Sequence, residues 1–204
     1  MSDPVVYVVD DDPPVRESLR LLIRSVHMEV ECFPDAVAFL AGFDPQRTAC
    51  LVLDIRMPTM SGLELQLELN RRSVRLPIIF LTGHGDVQMA VQAMHAGAWD
   101  FVEKPFRDQS LIDSINAALN AACERRANDA EIETIRHHIE ALTPREKDVM
   151  QRIVDGQPNK VIAAEIGLSE RTVEIHRSKV MSKMQVRSLA ALVKQILAAT
   201  QTSN

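Results

Sequence analysis

A chain of 204 residues holds one large domain or two small ones. With 46% hydrophobic and 25% charged residues it can bury real cores behind a wetted surface, and only 4% aromatics make those cores aliphatic. No apolar run reaches the roughly 20 residues of a membrane span, and the scattered Cys32, Cys50 and Cys123 form no CxxC or Cys/His cluster, which excludes a zinc site and a disulfide framework. The opening MSDPVVYVVDDD lacks the basic start and long apolar stretch of a secretion signal, so a cytoplasmic protein with no membrane partner is expected. The net charge of −5 is unevenly divided: residues 1–120 hold ten Lys and Arg against seventeen Asp and Glu, and residues 141–204 hold ten against six. An acidic half suits cations and a basic half suits phosphates.

The first half alternates in period. Val5–Val9 is a short apolar run, followed by helical spacing over 15–26 through Val15, Leu19, Leu22, Ile23 and Val26. Strand-like runs recur at 30–33, 50–53, 78–81 and 101–102, with helix-like segments at 36–40, 62–70, 87–96 and from about 108. Five β-α units with short connections predict an α/β domain built on a five-stranded parallel sheet covered on both faces. In such sheets ligands bind beyond the carboxyl ends of the strands.

From 109 to 140 there is no Gly or Pro, and one long helix is expected. Within it Ile132, Ile135, Ile139 and Leu142 form an apolar seam, either a helix packed on its own domains or a dimer contact. Beyond Leu142 no strand signal remains. Thr143-Pro144-Arg145-Glu146 starts a helix with an N-cap, a first-position Pro and a capping-box Glu. Gly156 ends it, 159–166 forms a second helix closed by Gly167, Ser169 caps a third running to about Met184, and Ser188 caps a fourth to about Ala198. Four short helices in this order predict an all-α helix-turn-helix domain. The expected domains are 1–120, a helical linker 121–140, and 141–204.

Asp10, Asp11 and Asp54 carry the chemistry of the first half. Carboxylates crowded at strand ends repel one another and are harder to ionise without a cation. Mg²⁺, or Mn²⁺ in its place, relieves that with hard oxygen ligands. A carboxylate beside such an ion is a nucleophile toward phosphorus, with a lysine helping to neutralise the phosphoryl oxygens. Lys104 follows the fifth strand and Thr82 ends the fourth, where its hydroxyl suits a phosphoryl oxygen. A lone strand-end Asp is a common turn former, but turn formation does not account for the whole set at successive strand ends. A phosphohydrolase of the haloacid-dehalogenase type also uses a strand-end Asp, but it carries a second acid two residues on, where this chain has Arg56.

The stretches VVYVVDDD, LVLDIRMPTMSGLEL, IIFLTGHGD and AGAWDFVEKPF resemble the receiver domain of two-component response regulators, a flavodoxin-like (CheY-like) fold, over residues 4–120. The resemblance implies Asp54 as phosphoacceptor and Asp11 as a direct metal ligand, with Asp10 acting through water and the Arg56 backbone carbonyl completing the set. It implies Thr82 and Lys104 as phosphoryl contacts and Phe101 as the switch aromatic, in place of the common Tyr. Arg56 and His84 stand where the family varies and suit the tuning of dephosphorylation, with His84 read as a pocket-rim residue and not a catalyst.

LTPREKDVMQRIVDGQPNKVIAAEIGLSERTVEIHRSKVMSKMQVRSLAALV resembles the helix-turn-helix of the FixJ/NarL (LuxR-type) regulators over 140–197. Val161, Ile162, Ile166, Leu168, Val173, Val180 and Met184 are read as its core. The resemblance puts Lys160, Thr172 and Lys179 or Lys183 toward phosphates, and Glu174, Ile175 and Ser178 toward bases. Arg177 suits either, and Arg171 lies on the exposed face. Together the two resemblances imply a transcription regulator, expected to be an activator and not an enzyme. Its expected partners are a sensor histidine kinase, double-stranded promoter DNA, RNA polymerase and, when phosphorylated, a second copy of itself. A rival reading makes it a constitutive DNA binder whose first domain serves only assembly.

Overall fold

β1 (Val5–Val9) is buried along its whole length, as a strand covered on both faces must be. A computed structural model describes residues 3–83 and 87–201 of the chain. After β1 come α1 (Pro13–Ser25), β2 (Glu29–Phe33), α2 (Ala36–Gly42), β3 (Ala49–Asp54), α3 (Gly62–Arg71), β4 (Ile78–Thr82), α4 (Val87–His95) and β5 (Asp100–Glu103). α5 (Asp108–Glu140), α6 (Pro144–Val154), α7 (Asn159–Ile166), α8 (Glu170–Lys183) and α9 (Leu189–Gln201) complete the chain. The five strands form one parallel sheet in the order β2-β1-β3-β4-β5.

Alternation of side chains along each strand divides the interior into two layers. Val5, Tyr7, Val9, Leu51, Leu53 and Phe80 face one layer with Phe39, Leu65 and Leu69 from the helices. Val6, Val8, Val52, Ile79 and Leu81 face the other, against Leu19 and Ile23 of α1 and Leu111 and Ile115 of α5. Each fully buried aliphatic side chain contributes about 1.5–3 kcal/mol. A one-residue slip in β1 would exchange its side chains between the layers and draw Pro4 or Asp10 into the paired strand. Among the described residues no helix is long and apolar enough to cross a membrane.

The chain divides into two compact units, Met1–Arg126 and Ala127–Asn204, and the division falls inside the continuous 33-residue α5. Leu111, Ile112, Ile115, Ala118 and Leu119 of α5 are buried in the first unit's core. No residue from 120 to 131 is fully buried, which is where the division lies. The helical linker expected over 121–140 is therefore no separate piece, since 127–140 belong to the second unit. Ile132 is buried, and Ile135, Ile139 and Leu142 join the core of α6–α9. The seam thus packs into its own domain instead of offering an open dimer face.

α6 begins with the expected capping box, Thr143 with Glu146, and α7 ends at Gly167 in the left-handed conformation (φ 68°). Val161 departs from the sequence reading: expected in the core, it is 40% exposed. Ile162 and Ile166, four residues apart, turn one face of α7 inward, and a helix rotates Val161 about 100° away from that face. Truncating the seam at its most buried point tests the assignment to the second core. Ile135 is 3% exposed, and Ile135→Ala is expected to destabilise the second unit by about 2–5 kcal/mol. Hydrogen exchange should show the loss in α6–α9 and leave the amides of the sheet as protected as before.

Candidate functional site

The parallel register brings Val9 opposite Leu53 and Asp54 opposite Leu81, so the carboxyl ends of β1, β3 and β4 open on one side of the sheet. Asp10 follows β1, Asp54 ends β3 and Thr82 ends β4. Lys104 follows β5, and its backbone N–H donates to the Thr82 carbonyl at 2.7 Å. The Lys104–Pro105 peptide is cis. Strand order reverses beside β1, which is the switch point where open α/β sheets bind ligands.

The Lys104 ammonium donates to Asp54 Oδ1 at 2.7 Å and to Asp10 Oδ2 at 3.0 Å. The other oxygens of the two carboxylates are held by backbone: Asp54 Oδ2 accepts from the Arg56 N–H at 2.8 Å, and Asp10 Oδ1 from the Asp12 N–H at 2.9 Å. Arg16 donates through Nη1 to the Asp10 carbonyl at 2.7 Å. Burial pushes the Asp54 carboxyl above its usual range, against the pull of Lys104. Burial draws Lys104 down, but its hydrogen bonds to Asp54 and Asp10 outweigh that and hold it above the ordinary lysine value. Lys104 is therefore a fixed cation, and Asp54 is a carboxylate whose burial is only partly offset by it.

Of the residues singled out in the sequence, Asp10, Asp54 and Lys104 come into contact. Thr82 is buried at the tip of the neighbouring strand, its hydroxyl donating to the Gly83 carbonyl at 3.1 Å. Asp11 is exposed at the rim. Phe101 lies opposite Phe80 in the sheet and packs, partly buried, on the first core layer. Among the described residues no three His, Cys, Asp or Glu side chains already form a metal-holding group. The donors at the strand ends are nonetheless all carboxylate and carbonyl oxygens, a set that suits Mg²⁺ or Mn²⁺ and not a thiophilic ion. His84 lies outside the described residues.

Gly62 matters to this site, and the sequence reading passed over it. A Cβ there would stand 2.4 Å from the Asp54 carbonyl oxygen and 3.1 Å from Ile55 Cα. The Gly62 N–H donates to the Ile55 carbonyl at 3.0 Å, so the start of α3 is pressed against the tip of β3. The signal was there: a glycine directly after the cap Ser61, whose capping box with Glu64 fixes the helix start.

In the second unit Ser169 caps α8, its hydroxyl accepting from the Thr172 N–H at 3.1 Å and meeting the Thr172 hydroxyl at 2.8 Å. Val173, Val180 and the C-cap Met184 are buried. Arg171, Glu174, Ile175, Ser178 and Lys179 are exposed or half-exposed, Ile175 by 50%. An exposed isoleucine among charges on a short helix is what apolar contact with a thymine methyl needs. Lys160 of α7 is exposed, and Arg177 bonds Asn159 Oδ1 at 3.3 Å, which ties α8 to the start of α7.

Lys183, the alternative to Lys179 as a phosphate contact, has partners within the protein. Its ammonium donates to Glu146 Oε2 at 2.7 Å and to the Ala141 carbonyl at 3.2 Å. Glu146 is almost fully buried and also accepts from the Thr143 N–H at 2.9 Å. The Lys183 hydrogen bond and the Thr143 N–H lower its pKa to about 2. Lys183 therefore fastens the end of α8 to the α5–α6 junction, because a buried carboxylate without a cation would be costly.

Residues 6–116 match the response regulator receiver domain family, and residues 140–196 match the luxR family of bacterial regulatory proteins. Nodulation protein W of Bradyrhizobium diazoefficiens is 48% identical over 190 residues, 93% of this chain and 84% of that protein. Transcriptional regulatory protein FixJ of Rhizobium meliloti is 44% identical over 198 residues, 97% of both. The structure of the response regulator StyR superposes with a TM-score of 0.87 at 47% identity, covering 96% of this chain and 98% of that one.

The two carboxylates shifted in opposite directions predict opposite pH behaviour. Asp54 binds its proton more tightly when folded, so its ionisation costs stability as pH rises through its pKa. Asp54→Asn is expected to unfold at higher urea than the parent at pH 7, and the gap should close as pH falls below about 4. Glu146 is shifted down, so its contribution is complete above the usual 4.5 and is lost as pH falls toward about 2. Glu146→Gln is expected to destabilise the second unit at pH 7 and to match the parent near the acid limit, as read by urea titrations across pH. Lys183→Gln should share that loss and leave the salt slope of DNA binding unchanged, whereas Lys179→Gln should lower the slope by about one.

Proposed function

The chain belongs to the LuxR-type two-component response regulators, and from that membership we propose that it is a phosphorylation-controlled transcription activator with Asp54 as phosphoacceptor. The observation that carries the proposal is the Lys104 ammonium shared between Asp54, 2.7 Å away, and Asp10, 3.0 Å away. A sensor histidine kinase supplies the phosphoryl group. A carboxylate oxygen of Asp54 bonds to phosphorus as the bond from phosphorus to the donor histidine nitrogen breaks. Lys104 then turns from the Asp54 carboxylate to the phosphoryl oxygens, whose charge it offsets. Asp10, Asp11, Asp54 and the Arg56 carbonyl would hold Mg²⁺, or Mn²⁺, which supplies charge neutralisation at the phosphoryl oxygens.

The Thr82 hydroxyl, bonded to the Gly83 carbonyl in the unmodified protein, exchanges that partner for a phosphoryl oxygen. Phe101, on the adjoining strand, follows it inward. Phosphorylation thereby favours one of two states of the α4–β5–α5 face, and it shifts the population only by its differential contacts with them. The favoured state forms a homodimer, whose two α8 helices would meet half-sites about one helical turn apart. Glu174, Ile175 and Ser178 face bases; Lys160, Arg171, Thr172 and Lys179 grip phosphates; Arg177 lies between the two groups. The bound dimer engages RNA polymerase in the bacterial cytoplasm. The phosphoryl group acts as a signal and not as a turnover intermediate, because its readout is a second domain with its own core.

Beryllofluoride, a phosphoryl mimic, tests this directly. With it the parent chain is expected to dimerise and to gain DNA affinity, measured by sedimentation and by binding to genomic fragments. Asp54→Ala should show neither change and retain the basal affinity. A parent that binds identically with and without the mimic would return the first unit to a purely assembly role. In either state affinity should fall steeply between 50 and 200 mM salt, by roughly a thousandfold for six phosphate contacts.

A further inference from the structure

A cleft of about 510 Å³ opens in the first unit at the end of the sheet opposite Asp54. Asn70 at the end of α3, Ser73 and Arg75 in the loop beyond it, Gly97 after α4, Trp99 before β5 and Arg125 of α5 line it. Its floor is set by the Trp99 N–H, which donates to the Ile78 carbonyl at 2.8 Å at the start of β4. The cleft is thus distinct from the site at the strands' carboxyl ends and takes no part in the phosphoryl chemistry. Its volume is that of a small-molecule pocket.

Three features of the lining specify a ligand. Trp99, the single tryptophan of the chain, is 40% exposed and gives a flat apolar wall. Arg125 is half-buried, with Nη1 held on the Arg75 carbonyl at 3.2 Å, so its guanidinium is placed and not free to wander. Among the described residues no carboxylate pairs with Arg75 or Arg125, as with Arg16, Arg24 and Arg107 of this unit and unlike Arg20, Arg47, Arg71 and Arg72, which are each paired. Two arginines without a counter-anion, lining the same cleft as an open indole in an otherwise acidic domain, are a complementary surface for an anion with a flat body. The forked donors of arginine match a carboxylate, and the indole suits an aromatic ring.

We propose that this cleft binds a small aromatic carboxylate and makes the first unit responsive to a ligand as well as to phosphorylation. The occupant would touch elements already tied together at this end. Asn70 Nδ2 donates to the Ala96 carbonyl at 2.9 Å and Gln66 Nε2 to the Ala93 carbonyl at 3.1 Å, fastening α3 to the last turn of α4. Gly97, at φ 89°, closes that turn with an N–H to the Met94 carbonyl at 3.0 Å. A ligand spanning α3, the end of α4, β5 and α5 cross-links the elements of the α4–β5–α5 face from behind. It stabilises whichever arrangement of that face keeps the cleft formed.

The test is titration of the full-length, unphosphorylated chain with sodium benzoate at constant ionic strength. Trp99 emission is the reporter, and equilibrium dialysis of radiolabelled benzoate gives an independent count. A saturable change at one site per chain is expected. Arg125→Gln and Arg75→Gln should each weaken binding about tenfold or more, the loss of one charge-assisted pair. Arg145→Gln, on α6, should leave it unchanged. Arg125→Lys keeps the charge without the fork and should fall between. Both arginines are at the surface, and unfolding curves will show that the variants remain folded. Benzyl alcohol and inorganic phosphate should compete poorly. The proposal is overturned by a linear, non-saturating response or by undiminished binding in the two glutamine variants. Equal competition by benzyl alcohol would remove the role of the charge, and equal competition by phosphate would reduce the cleft to a bare oxyanion site; either outcome also overturns it. None of these readings depends on phosphorylation, so failure here leaves the role of Asp54 untouched.

Discussion

The Lys104 ammonium, held between Asp54 and Asp10, is the interaction on which the receiver unit turns. Two carboxylates at adjacent strand tips, one almost wholly buried, would repel each other and resist ionisation if left alone. One lysine arriving from the far side of the sheet makes the arrangement tolerable without neutralising it. Asp54 still feels its burial more than its partner. The site is therefore poised: a group that brings its own negative oxygens competes for Lys104, and a cation beside the carboxylates relieves what a single ammonium cannot.

Much of the surrounding architecture serves that placement. The carboxyl ends of four strands meet only because all the crossovers are parallel, which obliges the sheet to be covered on both faces and its central strands to be apolar throughout. Gly62 permits α3 to start hard against the tip of β3, where any side chain would strike the Asp54 carbonyl. Lys104 is aimed by its own backbone bond to Thr82, which couples the position of the counter-cation to the tip of β4. The second unit solves a similar problem with different parts, using Lys183 to neutralise the buried Glu146 and thereby pinning the end of α8.

The strand runs, the strand-end residues and the helix caps were legible because each is a local signal. Apolar runs, a Gly closing a helix and a Ser or Thr three residues before a backbone donor work within a few residues of chain. The misread positions share the opposite property. Lys183 stands in a row of basic residues and looks solvated until Glu146, 37 residues earlier, is placed beneath it. Val161 looks like core because its neighbours are, and which face of the short α7 turns inward is decided by the elements it packs against. The Ile132–Leu142 seam was visible as a seam, but its occupant was not, because a helical stripe of isoleucines carries no mark of the surface it meets.

The sequence by itself determined the alternation of strands and helices, the parallel fold that results, the acidic and basic halves, and the placing of Asp10, Asp54, Thr82 and Lys104 at successive strand ends. These depend on periodicity and on residue chemistry, which are written along the chain. Only the tertiary structure decided that Lys104 bridges both carboxylates, that Gly62 seats α3 on the strand tip, that the seam packs in the second unit, that Lys183 pairs with Glu146, and that Trp99, Arg75 and Arg125 share a cleft. Each of those is a contact between residues far apart in sequence, and its energy depends on distance and burial, quantities that exist only after the chain has folded.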